Sequence, residues 1–172
     1  SSNMVFEDVG GGLAILAPAI VQARNLTVEG NRAGGGGGIE VTGALNLANA
    51  TISNNLSVAA GGGALRNSGT VTLYHVTIAG NVAANSGGGI HQFASGGIEL
   101  VNVLFSDNTD ELGNPSDCFF QLAPTLLQFS LWPQGTCGNS TANGNHPNTV
   151  VTLPRLALSC AGTAGQEQTM TH

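Results

Sequence analysis

Four tetrapeptides punctuate this chain at nearly even intervals: VEGN ending on Asn31, ISNN on Asn55, IAGN on Asn81 and FSDN on Asn108. Their terminal asparagines lie 24, 26 and 27 positions apart (55−31, 81−55, 108−81). Glycines open the intervals in step, at Gly11-Gly12-Leu13, Gly37-Gly38-Ile39, Gly62-Gly63-Ala64 and Gly88-Gly89-Ile90. A drifting period in the mid-twenties limits the fold more than any local propensity does. Each unit is too short to bury its own apolar side, so it must stack on its neighbours as a solenoid. Residues 61–81, GGGALRNSGTVTLYHVTIAGN, are the clearest single unit.

Counting back from the asparagines aligns four apolar columns: Val21/Leu45/Val71/Ile98, Ala23/Leu47/Leu73/Leu100, Leu26/Ala50/Val76/Val103 and Val28/Ile52/Ile78/Phe105. Between them run the mostly polar columns Gln22/Asn46/Thr72/Glu99 and Thr27/Thr51/Thr77/Leu104. Alternation with period two marks strands with one face inward. The glycines and the Gly-Asn or Asn-Asn steps suit corners that need positive φ. The expectation is an all-β, right-handed parallel β-helix, a single-stranded solenoid of about four coils over residues 1–113. The hand follows from the usual crossover preference. At about 4.8 Å per coil the stack would stand roughly 20 Å tall, with two raw ends that need caps.

The unbroken column Asn31, Asn55, Asn81 and Asn108 is expected to form a ladder of side-chain amides. Asn25/Asn49/His75/Asn102 forms a second column, and Asn tolerates the left-handed conformation of a corner. In the unit at 61–81, Val71, Leu73, Val76 and Ile78 should point inward. Thr72, Tyr74, His75 and Thr77 are left as the outward row open to function.

Charge narrows the classes of partner. Charged residues make up 8% of the chain, and the four basic ones are Arg24, Arg32, Arg66 and Arg155. A net charge of −6 without lysine argues against nucleic acid or an anionic membrane surface, which both require clustered cations. Residues 12–23, GLAILAPAIVQA, are too short to span a bilayer and contain Pro18. Glu7 and Asp8, not basic residues, precede them, so they read as buried strand and not as a signal peptide. Cys118, Cys137 and Cys160 cluster in the last third, which suits an exported protein.

GGAL at residues 62–65, GGGI at 87–90 and FSDN at 105–108 resemble the GGA(I/L) and FxxN motifs of polymorphic outer membrane protein repeats. They are similar as well to bacterial β-helix surface proteins that carry choice-of-anchor regions. The resemblance covers roughly residues 10–108, although only FSDN supplies a full FxxN and the other units replace Phe with Val or Ile. It implies extracellular display and adhesion, with no defined reaction.

After Asn108 the rhythm breaks. Residues 114–172 are expected to form an irregular C-terminal cap that continues into a longer chain. A Cys118–Cys137 disulfide would close a loop of about 20 residues and contribute roughly 3 kcal/mol. Phe119, Phe120, Phe129 and Trp132 would cover the last coil. This segment resembles the Cys-containing terminal region of the same surface proteins, and TMTH at residues 169–172 resembles the opening of their T-x-T-H motif. Residues 1–9 offer little to seal the first coil. The polypeptide is therefore expected to be a piece of a longer one, or to sit against a partner at its open ends. Cys160 is free or paired outside the segment.

Chemistry within the repeats is sparse. Glycoside hydrolysis needs two carboxylates roughly 5 to 9.5 Å apart. Glu29, Glu40, Glu99 and Asp107 have no acidic neighbour in the aligned columns, and only Arg66 projects usefully for lyase chemistry. Asp107, Asp110 and Glu111, with Asn108 and Asp117 nearby, form a weak candidate calcium site that reads more readily as an acidic turn. His75, His91, His146 and His172 show no paired spacing, the cysteines form no C-x-x-C, and residues 34–38 lack the Lys-Ser/Thr of a phosphate loop. The threonine column is too narrow for an ice-binding face. Sequons begin at Asn25, Asn49, Asn55 and Asn139, and matter only on a glycosylating secretory route. The expected function is an extracellular or cell-surface structural and adhesive segment, without cofactor or catalysis, that meets protein or glycan. The alternatives are a polysaccharide lyase, glycosidase or lectin-like domain on the same scaffold, or a subunit of a larger surface assembly.

Overall fold

The apolar columns are the register that the strands adopt. Strand Ala44–Ser53 pairs in parallel with Thr70–Ala79, which pairs in turn with Gly97–Ser106. This stacks Leu45 on Val71 on Ile98, Leu47 on Leu73 on Leu100, and Ile52 on Ile78 on Phe105. Strands Ile20–Arg24 and Thr27–Glu29 extend the same columns through the first coil. The computed structural model describes residues 10–132, 137 and 144–147, and among these the chain is an all-β, parallel solenoid of about five turns.

Each of the first four coils contributes to three parallel sheets, and the fifth to two of them among the described residues. The long one contains the ten-residue strands. A five-stranded sheet runs through Leu13–Ile15, Ile39–Val41, Leu65–Asn67, Ile90–Gln92 and Cys118–Phe120. A four-stranded sheet joins Arg32–Ala33, Leu56–Ser57, Val82–Ala83 and Thr109–Asp110. Alternation turns Ile39, Leu65 and Ile90 into the same core that holds Leu47, Leu73, Ile78 and Phe105, all of them buried.

Two columns of left-handed residues bend every coil. Asn25, Asn49, His75, Asn102 and Phe129 all have φ between 48° and 56°, so the expected corner column is real and extends to a phenylalanine. Gly30, Asn54, Gly80 and Asp107 form the second, each just before its ladder asparagine.

The glycine phrases supply the expected positive φ only in part, at Gly62 and Gly87 (φ 80° and 67°). Gly37, Gly63 and Gly88 do not have positive φ. They are glycine because coils touch there: a Cβ on Gly63 would stand 2.3 Å from the carbonyl oxygen of Gly88. The alignment of these phrases also shifts by one residue in the third coil. Leu65, not Ala64, faces both Ile39 and Ile90.

Three further expectations change. Residues 12–23 are not one buried strand, since Leu13–Ile15 and Ile20–Arg24 are separated by a turn with a cis Ala17–Pro18 bond, and Leu16 and Ile20 are exposed. Coiling continues past Asn108 into the expected irregular cap. Cys118–Phe120 pairs with Ile90–Gln92, and Leu126–Gln128 and Leu131–Trp132 pair with Gly97–Ser106, which completes a fifth turn. The expected aromatic cover is divided. Trp132 is fully buried and Phe120 packs on the core, whereas Phe119 and Phe129 are exposed. The Cys118–Cys137 disulfide is formed, its ends 19 positions apart. Residues 1–9, Asn139, Arg155, Cys160 and the TMTH segment lie outside the described residues.

Candidate functional site on the long sheet

The asparagine ladder lies inside the wall. Asn31 donates from its backbone N (3.0 Å) and its Nδ2 (2.9 Å) to Asn55 Oδ1. Asn55 does the same to Asn81 (3.0 and 2.9 Å), and Asn81 to Asn108 (3.1 and 2.9 Å). Each amide also donates to a backbone carbonyl, as Asn81 does to Ile52 (3.0 Å). Asn108 Nδ2 passes the ladder on to the carboxylate of buried Asp117 (2.9 Å), a member the sequence alignment missed. Asp117 lies outside the period because it closes a loop within one coil, nine residues from Asn108. The ladder is a structural spine, since its amide groups are directed at one another and at the backbone.

The candidate calcium residues do not converge. Asp110 Oδ1 accepts from the backbone N of Leu112 (2.9 Å) and Asn114 (2.8 Å), and its Oδ2 accepts from Asn114 Nδ2 (2.8 Å). These bonds, led by the Asn114 side chain, hold its carboxyl below the usual carboxylate range. Asp107 sits on a left-handed corner and takes the Ser106 hydroxyl (2.6 Å), while Glu111 is exposed. Among the described residues, no three acidic, histidine or cysteine side chains gather in a metal-binding group.

A titratable column runs along the five-stranded sheet: Glu40, Arg66 and His91 at one register on successive coils. Arg66 donates to Glu40 Oε1 (3.3 Å), and its guanidinium caps the Phe93 ring at 5.0 Å. Glu40 Oε2 accepts from the backbone N of Gly36 (2.9 Å). The His91 ring lies against Phe93 (4.6 Å) and Phe119 (4.8 Å), with Nδ1 on Ser86 (3.3 Å). Its Nε2 is buried with no hydrogen-bond partner among the described residues. Burial, helped by the charge of Arg66 and opposed by the Ser86 backbone bond, lowers the His91 pKa. The carboxylate and guanidinium are committed to each other, so Arg66 is not the free cation that lyase chemistry requires. The one-residue offset of the glycine phrases hides this column from the sequence. Counting from Ile39, Leu65 and Ile90 would have revealed it.

The long sheet presents the accessible chemistry. Arg24, Ala48 and Tyr74 share one outward column over three coils, and Gln22, Asn46 and Thr72 share the next. Ala48, small between two large neighbours, leaves a shallow groove of about 240 Å³. It is lined by Gln22, Arg24, Asn46, Ala48 and Tyr74, with the backbone of Ala23 and Leu47 beneath. Tyr74 is 40% exposed, the one exposed aromatic among the described residues of the first four coils. Its neighbour His75 meets Asn102 Nδ2 at 3.4 Å on the corner. The expected outward row contributes Tyr74 to this groove. Gln22 and Asn46 belong to the polar column read from the sequence, whereas Arg24 and Ala48 were placed in no column, although the 24-residue step between them was available to the same count.

Of the sequon asparagines, Asn25 and Asn49 are exposed, and Asn55 is buried in the ladder. Among the described residues no helix is long and apolar enough to cross a membrane. Comparisons with protein-family models, curated proteins and solved structures returned no match.

Proposed function

We propose that this chain is an extracellular, non-catalytic contact module that seats a glycan along the outward face of its long sheet. The groove between Arg24 and Tyr74 carries this reading. Its volume of about 240 Å³ falls below the ~300–1,000 Å³ of sites that enclose a small molecule. It lies open across three coils, a shape for a segment of an extended chain. An aromatic face beside amide side chains supplies what a sugar requires, a platform for its C–H face and partners for its hydroxyls.

Extracellular placement is supported by the Cys118–Cys137 disulfide, which persists in oxidising compartments. The likeness of the GGAL, GGGI and FSDN phrases to bacterial surface-protein repeats points the same way. Binding is favoured over turnover because the acid and base of the Glu40–Arg66–His91 column are packed into the wall and away from the groove.

The test is a glycan array probed with the intact chain and with Tyr74→Ala, beside an assay for reducing ends and unsaturated sugars. Retention of a glycan family by the wild type and loss of about tenfold or more in Tyr74→Ala is the expected result, with no product released. Release of reducing ends or unsaturated sugars would replace the module with an enzyme.

A further inference from the structure

The groove holds an exposed cation in a chain that has few. The chain has four arginines and no lysine. Arg66 is occupied by Glu40 and Phe93, and Arg32 lies on the four-stranded sheet. Arg24 is exposed, lines the groove, and makes no ion pair among the described residues. No acidic side chain lines the groove with it.

The net charge of −6 does not cancel this local cation. On the same face, Glu99 stands one coil past Thr72 and so near the Tyr74 end of the groove, but three coils from Gln22 at the Arg24 end, a separation of roughly 14 Å by the inter-strand spacing. That exceeds the screening length of about 8 Å at physiological salt. Glu29 lies beyond the Asn25 corner and accepts from Asn54 Nδ2 (3.2 Å). A ligand in the groove therefore meets an unpaired guanidinium at the Arg24 end, away from Glu99.

Resting on the reading of this groove as a glycan seat, we propose that its ligand is a carboxylated polysaccharide, with Arg24 as the residue that reads the carboxylate. The planar fork of a guanidinium matches a carboxylate with two parallel hydrogen bonds, a fit that a neutral hydroxyl cannot reproduce. Arg24 and Tyr74 stand two coils apart in one column, about 10 Å by the inter-strand spacing, with Ala48 between them. A sugar stacked on Tyr74 thus directs a neighbouring unit of the same chain over Ala48 toward Arg24. The polysaccharide runs across the strands, parallel to the solenoid axis, and Gln22 and Asn46 flank it from the next column.

The experiment titrates the intact chain with a linear polyuronate and with a neutral glucan of matched linkage and length, at low and at physiological salt. Wild type, Arg24→Gln, Arg32→Gln and Tyr74→Ala are compared, each verified as folded by circular dichroism. The expected result is a preference of about tenfold or more for the polyuronate that salt reduces. Arg24→Gln should abolish the preference and keep the neutral affinity, Arg32→Gln should leave both unchanged, and Tyr74→Ala should weaken both. Equal affinity for the two polymers, or a preference that survives Arg24→Gln, overturns the carboxylate assignment alone. Failure of wild type to bind either polymer, or full binding by Tyr74→Ala, overturns the glycan seat itself.

Discussion

His91 shows how a residue on the outer side of a strand becomes part of the wall. Its ring is held between Phe93 and Phe119, and its Nε2 is buried without a hydrogen-bond partner among the described residues, beside the strand that carries Arg66. Among the described residues the groups facing it are Arg66 from the coil before, Ser86 from its own corner, and the two phenyl rings, with no carboxylate to offset a positive charge there. Burial first, and Arg66 second, lower its folded pKa below the ordinary value of 6.5. The sign follows from proton binding: below about 6.5 the unfolded chain takes up a proton that the folded chain resists. The contribution of His91 to stability is thus complete above pH 6.5 and declines as pH falls toward the lowered folded pKa. Urea titrations between pH 7.5 and 5, a window above most carboxylate titrations, should show this decline in the wild type. His91→Gln should flatten the profile, and an equally steep profile in that variant would assign the dependence to other groups.

The ladder belongs to the scale of the coil, because each asparagine joins one turn to the next. Asn81, itself fully buried, accepts two hydrogen bonds from Asn55 and donates to Asn108 and to the carbonyls of Ile52 and Ala79. Truncation to alanine strands several buried polar groups, each worth about 1–3 kcal/mol. Asn81→Ala should therefore lower unfolding free energy by about 3–5 kcal/mol in chemical denaturation. Asn81→Asp keeps the volume and removes the donor, so a similar loss would identify hydrogen bonding, not packing, as the cause. This column was legible in the sequence because one residue type recurs at one place in every unit. The glycine phrases were less legible, since close approach between coils and positive φ both select glycine. Only geometry separates Gly63, which lacks room beneath Gly88, from Gly80, which has φ of +63°. That ambiguity produced the one-residue offset and concealed the Glu40–Arg66–His91 column.

At the scale of the whole molecule, stability is close to a sum of coils and of the interfaces between them. The fifth coil is the least regular, for its strands are short and its corner residue is Phe129 where earlier coils use Asn or His. The disulfide ties Cys118, which begins that coil, to Cys137 beyond it, and Trp132 is buried between them in sequence. Replacing both cysteines with serine should reduce stability by about 3 kcal/mol, as closure of a loop with a 19-residue separation implies. Hydrogen exchange should then report faster opening at residues 118–132 than at the strands of the third and fourth coils. Uniform protection across all five would show that the molecule opens as one unit. The sequence under-counted the coils because it was read by its glycine and asparagine punctuation, while the fifth turn is spelled with cysteine, phenylalanine and tryptophan. The ladder has one more consequence, which is direction. Every side-chain amide from Asn31 to Asn108 donates toward the following coil, so their dipoles add with the positive end at Asn108. There the row ends on Asp117, whose Oδ1 accepts the last amide donor. Between Asn31 and Asn108 the wall of this solenoid therefore has a direction, and its two faces along the stack are not equivalent.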